Sequence, residues 1–280
     1  MTHWFCNGQA IDSLPIDDRA IHYGDGLFET IAIRNGEPRL WSLHIERLHS
    51  GCDRLGLDSP ADESLRVEIT AAMHAAQVDP SYALAKLIVT AGSSTRGYRR
   101  PISVGSRVLT GVSEAQRPAA DNYQAGVVAV RCTTTVSEQP TLAGLKTLNR
   151  LEQVLARNER SNTDAFEGLM CDADGRLICG TMSNVFVVHD QSVSTPALDR
   201  CGVAGVMRQH VLNTLKIAGH EITEKNVSWD HAMAADELFL TNSQFGLVPI
   251  QGIDEQRWRV GPVTGKVMKL LAQNGIEECS

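Results

Sequence analysis

The sequence predicts an α+β protein in two domains, and three observations carry that expectation. The first third mixes strand-like alternation with helix-like 3.6-residue recurrence, and the remainder is a run of strands with helices inserted. A polar, proline-bearing stretch at 111–122, GVSEAQRPAADN, separates the two regions. The length of 280 residues exceeds one small domain, and 42% hydrophobic content supplies a real core. The domains are expected at 1–114 and 123–280, with 115–122 as the linker.

In chain order, WFCNGQAI reads as strand, Asn7-Gly8 turn and return strand. LFETIAIRNGEPRLW reads as a second hairpin turning at Asn35-Gly36. LWSLHIERLHSGCDRLGL then recurs helically through Leu43, Leu48 and Leu55, with Ser42 as N-cap and Gly51 as a weak point. A helix over 62–77 and a strand at ALAKLIVTAG follow. Past the linker, AGVVAVRCTTT is a strand. LNRLEQVLARNER is an amphipathic helix starting near Asn149, with Leu148, Leu151, Val154 and Leu155 on one side. FEGLMCDADGRLICG is a hairpin turning at Asp174-Gly175, and SNVFVVHD is a strand. GVMRQHVLNTLKIAGH is a helix ending at Gly219. DELFLTNS and GLVPIQGI are strands, and a short helix closes the chain.

Composition narrows the function. A net charge of −7 and a pI of about 5.7 argue against nucleic acid as the main partner, because phosphate backbones need a basic surface. Seven cysteines, odd in number and without a C-x-x-C pair, argue against a disulfide framework or a zinc site and fit a reducing, cytoplasmic setting. No signal-peptide pattern and no apolar run of membrane-spanning length is visible, so no membrane partner is expected.

Candidate chemistry centres on Lys146. Of six lysines, Lys216, Lys266 and Lys269 suit helix ends, Lys225 lies in a polar run, and Lys86 sits in a strand with its direction open. Lys146 alone lies in an apolar loop before a helix. Partial burial and a helix N-terminus both disfavour the ammonium, which suits an amine that attacks carbonyl groups. A solvated loop lysine is the plainer alternative. The two glycines of CGVAGVMRQHV, before a helix, offer backbone N–H groups to an anion, though glycine before a helix is common. LTNSQFG adds Thr241, Asn242 and Ser243 as donors or as turn caps.

YGDGLFET, HIERL, STRGY, LAGLKTLNRLEQVLAR, SNVF and GVAGVMR occur in this order and spacing over essentially the whole chain. In this the chain resembles the class IV (fold type IV) pyridoxal-phosphate enzymes, among them branched-chain and D-amino-acid aminotransferases and aminodeoxychorismate lyase. STRGY and LAGLKTLNRLEQVL look most like the lyase members. The resemblance implies a two-domain, D-amino-acid aminotransferase-like fold. It implies pyridoxal 5'-phosphate as cofactor, a small-molecule substrate and a homodimer whose partner walls part of the site. It further implies elimination of pyruvate to give 4-aminobenzoate for folate synthesis, with D-amino-acid or branched-chain transamination, or a cofactor-binding descendant, as alternatives.

Carried over by motif, Lys146 matches the lysine that binds the cofactor aldehyde, and Arg47 the arginine that meets its phosphate. Val206 and Met207 match the helix-start pair whose amides hold that phosphate, and Ser243 a hydroxyl contact. Arg96, Tyr98 and Thr30 match substrate-side positions. In one respect the chain departs from its relatives. Cys179, five residues before the asparagine of SNVF, stands where most of them carry the glutamate that faces the pyridine nitrogen. A thiol is a weak partner there and a poor counter-ion unless ionised, so the ring is expected to be a poorer electron sink.

Overall fold

The computed structural model describes residues 1–101, 105–159 and 164–280. The chain forms two compact units: Met1–Arg117 with Leu145–Asn149, and Pro118–Gly144 with Arg150–Ser280.

The first unit holds strands β1 (His3–Cys6), β2 (Gln9–Ile11), β3 (Gly26–Arg34), β4 (Glu37–Pro38), β5 (Tyr82–Thr90) and β6 (Arg107–Glu114). Its helices are α1 (Arg19–Tyr23), α2 (Trp41–Leu55) and α3 (Asp62–Ala75). The strands form one antiparallel sheet in the order β2-β1-β6-β5-β3-β4. Period-2 alternation puts Leu27, Ile31 and Ile33 of β3 with Ala83, Ala85, Leu87 and Val89 of β5 into one core. That core is closed by Trp41, Ile45, Leu48 and Cys52 of α2 and by Leu65, Ile69 and Met73 of α3. Both expected hairpin turns form, with Asn7-Gly8 and Asn35-Gly36 at positive φ.

The second unit holds α4 (Asp121–Gln124), β7 (Val127–Arg131), α5 (Leu151–Asn158), β8 (Glu167–Cys171), β9 (Arg176–Gly180), β10 (Asn184–His189) and β11 (Ser192–Pro196). It continues with α6 (Val206–Ile217), β12 (Ile222–Lys225), β13 (Val227–Ser228), α7 (Trp229–Met233), β14 (Glu237–Asn242), β15 (Gly246–Ile253), β16 (Gln256–Arg257) and α8 (Pro262–Gln273). Its sheet runs β12-β11-β10-β14-β15-β7-β8-β9-β13, with β16 on β15. The parallel pairs β7–β8 and β11–β12 have α5 and α6 between them in the chain, as parallel strands require. Phe186 and Phe239 stack at 4.8 Å in its core.

Several expectations need correction. The division after Arg117 falls inside the expected linker 115–122, but β6 runs to Glu114, so residues 111–114 of the polar stretch are paired strand. Leu145–Asn149 clusters with the first unit, away from the 123–280 domain to which the sequence assigned it. Helix α2 starts straight out of the β4 turn, with Leu40 at φ 54° in the N-cap position, so Ser42 lies inside the helix. Gly51 is no weak point: a Cβ there would lie 2.7 Å from Leu27 Cδ1, so glycine lets helix and strand approach. Helix α5 starts at Leu151, and its apolar side is not core. Leu151, Val154 and Leu155 are 76%, 51% and 59% exposed, and only Ala156 of the helix is buried. Arg160, the expected end of that helix, lies outside the described residues.

Candidate active site

In the first unit, the loop segment carrying Lys146 is clamped to the start of β3. Phe28 N–H donates to Lys146 O at 3.0 Å, and Leu148 N–H donates to Gly26 O at 3.0 Å. Leu27 and Thr147 form a bridge, and Asn149 Nδ2 donates to Gly24 O at 3.1 Å. The glycines of YGDG allow this approach. A Cβ on Gly24 would lie 2.4 Å from Asn149 Oδ1, and one on Gly26 would lie 2.8 Å from Leu148 Cδ1. Two motifs far apart in sequence are therefore two halves of one packing arrangement. Lys146 Nζ lies 4.2 Å from the ring centroid of Phe28. Its charge also acts on His44 of α2, and α5 begins only five residues later in the chain.

Those charges form a buried cluster. Glu29, on the core face of β3, accepts from His44 Nδ1 at 2.6 Å, from Arg47 Nε at 2.8 Å and from Arg47 Nη2 at 2.5 Å. Burial pushes the Glu29 carboxyl up, but Arg47 and His44 outweigh it and hold it at about 2. Burial lowers His44, with Arg47 and Lys146 adding to the effect and Glu29 opposing it. Arg47, read from sequence as a phosphate arginine, is thus oriented by a bidentate carboxylate. Glu29 was missed because an acid within an apolar strand carries no distinctive spacing.

Arg96 and Tyr98 sit on an exposed loop, Tyr98 at 87% exposure. The buried Arg19 shapes that loop, donating to Ser94 Oγ at 3.0 Å, Gly97 O at 2.9 Å and Tyr98 O at 2.8 Å, while Asp25 holds Arg19 at 2.7 Å. Tyr23 and Tyr98 rings lie 5.4 Å apart. Thr30 is half-buried on β3, opposite Lys86 of β5.

In the second unit, Val206 and Met207 open α6, whose N-cap Gly205 makes no side-chain capping bond. A Cβ on Gly205 would lie 2.0 Å from Asn184 Oδ1, and Asn184 Nδ2 donates to Val203 O at 2.9 Å. The asparagine of SNVF therefore braces the helix start. Thr241, paired with Asn184 across β10 and β14, has a buried hydroxyl without a hydrogen-bond partner among the described residues. Uncapped N–H groups, a glycine cradle and an orphan hydroxyl fit a phosphate ester. Ser243 is half-buried after β14, its Oγ accepting from Gln244 Nε2 at 3.5 Å.

Cys179 is 6% exposed within an apolar cluster that includes Cys132, Met170, Ile178 and Cys201. Burial, reinforced by Glu167 and Cys201, pushes its thiol up to about 12, so it is neutral at physiological pH. The half-buried Arg150 is held low by burial, with Cys179 and Glu152 opposing. Glu167, also missed from sequence, is fully buried and accepts from Gly168 N–H, Thr181 Oγ1, Met182 N–H and Ser183 Oγ, which pins the turn between β9 and β10.

Residues 26–253 match the family model described as amino-transferase class IV. The chain belongs to the class IV aminotransferase family. Within that family it is 42% identical to the 4-amino-4-deoxychorismate lyase of Pseudomonas aeruginosa, with a TM-score of 0.89 over 98% of this chain and 99% of that one. It is 34% identical to an aminodeoxychorismate lyase of Vibrio harveyi over 97% of this chain and 98% of the relative. A D-alanine aminotransferase of Bacillus licheniformis is 29% identical over 94% of this chain and 92% of its own length. Class IV members are pyridoxal-phosphate enzymes, and the fold of this chain is fold type IV. No helix among the described residues is long and apolar enough to cross a membrane.

Proposed function

We propose that the protein is a 4-amino-4-deoxychorismate lyase that eliminates pyruvate to leave 4-aminobenzoate, a step toward folate, acting in the cytoplasm as a homodimer. The observation that carries the reading is the 42% identity to a lyase over nearly the full length of both chains. The amine clamped beside Phe28 and the uncapped α6 start supply the chemistry it needs.

Bound pyridoxal phosphate would draw electron density away from the carbon that bears the substrate nitrogen. Lys146 would hold the cofactor through its aldehyde, and its free amine would take the proton from that carbon. The adjacent C–O bond breaks, the enol ether departs as pyruvate, and the ring becomes aromatic. As the family resemblance implies, the backbone amides of Val206 and Met207 would hold the phosphate with Ser243, and Arg47, oriented by Glu29, would supply its counter-charge. Cys179, a neutral buried thiol, would offer the ring nitrogen no counter-charge, which would leave the ring a weak sink. Aromatisation drives the lyase reaction and tolerates this, whereas transamination needs a long-lived carbanion.

Two exposed features support a homodimer. The apolar side of α5 and the ring of Tyr98 lie open in the single chain, and a second copy would cover them. Arg96 and Tyr98, on their surface loop, then serve as substrate contacts, with Thr30 on the strand.

The 29% identity to a D-alanine aminotransferase makes transamination the second reading. Purified, cofactor-loaded protein given D-alanine or a branched-chain amino acid with 2-oxoglutarate decides between them. Pyruvate or branched-chain keto acid formed from these donors faster than 4-aminobenzoate forms from aminodeoxychorismate would favour the second.

A further inference from the structure

The mechanism above leaves Lys86 unused. Strand register places it in a row across the six-stranded sheet: Thr30 of β3 opposite Lys86, Lys86 opposite Gly111 of β6, and Gly111 opposite Trp4 of β1. Directly opposed residues share a face, and Phe28, two residues before Thr30, shares it too. The opposite face carries Leu27, Glu29, Ile31, Ala85 and Leu87 toward α2 and α3, so this row lies on the face those helices do not cover. Gly111 lets the Trp4 indole lie against its backbone, since a Cβ there would come within 2.9 Å of the ring.

Lys86 Nζ lies 5.0 Å from the centroid of the same Phe28 ring that Lys146 Nζ approaches to 4.2 Å. Two amines thus converge on one aromatic side chain. Among the described residues Lys86 has no carboxylate and no hydrogen-bond acceptor, although it is half-buried. A partly desolvated ammonium beside a second amine calls for an anion. The row surrounding it supplies a hydroxyl, a flat indole and a phenyl ring, and no acid.

We propose that Lys86 anchors the ring carboxylate of the substrate, with the Trp4 indole as the flat wall beside that ring, while Lys146 works at the nitrogen-bearing end. The substrate class is a planar six-membered ring carrying a carboxylate at one end and an amine at the other, a molecule short enough to span two amines that meet at Phe28. The proposal rests on the lyase reading for the identity of the amine end.

The test is calorimetric titration of cofactor-loaded protein with 4-aminobenzoate and with its uncharged methyl ester. Wild-type protein binds the acid more tightly than the ester, and the preference shrinks as salt is added. Lys86→Met weakens the acid by about tenfold to a hundredfold, the range of one lost charge-assisted hydrogen bond, and leaves the ester unchanged. Lys86→Arg keeps most of the acid affinity. In turnover, Lys86→Met raises KM by more than it lowers kcat. Equal weakening of acid and ester would assign Lys86 to packing, and an unchanged acid affinity would remove the anchor altogether. Should Lys86→Met not fold, equal affinity of the wild type for acid and ester overturns the proposal by itself. Failure of the lyase reading is separate: it shows as no 4-aminobenzoate formed by wild-type protein, whatever the binding preference.

Discussion

Replacing Glu29 by glutamine removes the charge on which Arg47 and His44 converge. The wild-type carboxyl sits at about 2 against an ordinary 4.5. At 1.36 kcal/mol per pH unit, that difference is worth about 3 kcal/mol of folding stability. Stripping a partner from a buried ion pair costs about 3–5 kcal/mol, which agrees. Because the folded value lies below the unfolded one, the contribution is fully present above pH 4.5 and is lost as pH falls toward 2. Urea unfolding midpoints for wild type and Glu29→Gln should therefore differ most at about pH 5 to 8 and converge as the solution is acidified. The variant should also release pyridoxal phosphate more readily, because Arg47 loses the fork that orients it. Equal midpoints at pH 7, or a gap that stays constant from pH 7 to pH 3, would refute the cluster as described.

Four further outcomes follow, three from the site and one from the exposed side of α5. Lys146→Ala should lose covalent cofactor capture and several orders of magnitude in rate; borohydride reduction and peptide mapping of the wild type should label Lys146 and no other lysine. Arg47→Ala should weaken cofactor retention more than it slows the reaction of the loaded enzyme, measured by dialysis and by single-turnover rates. Cys179→Glu should shift the pH dependence of the bound cofactor's absorbance and raise transamination by more than lyase turnover, since a carboxylate there favours the protonated ring nitrogen. Identical spectra would make Cys179 a core side chain only. Leu155→Glu should convert a dimer to monomer by light scattering, and a variant that still dimerises would place the interface elsewhere.

Hairpins and helices were readable where local chemistry dictates them. Asn7-Gly8 and Asn35-Gly36 need positive φ at both residues, a property written into two letters. The start of α6 was readable from the two glycines that precede it, although the packing of Asn184 on Gly205 was not. Features that depend on which distant segments meet were not readable. The helix recurrence of Leu151, Val154 and Leu155 reports an apolar stripe and is silent on whether the same chain covers it. The return of Leu145–Asn149 to the first unit depends on room left by Gly24 and Gly26, more than a hundred positions away. Lys86 could point to either side of its strand until the register with Thr30 and Gly111 fixed its face. Glu29 and Arg19 were passed over because a buried charge is recognised by its partners, and those partners are far away in the sequence or unmarked by any motif.

The most direct test supplies aminodeoxychorismate to the cofactor-loaded protein with no keto acid present, and quantifies 4-aminobenzoate and pyruvate together. Lyase chemistry through Lys146 predicts equal amounts of both products, sustained over many turnovers, because elimination consumes no second substrate. Release of neither product, or a single turnover that resumes only when a keto acid is added, would contradict it and mark the protein as a transaminase or a binding protein.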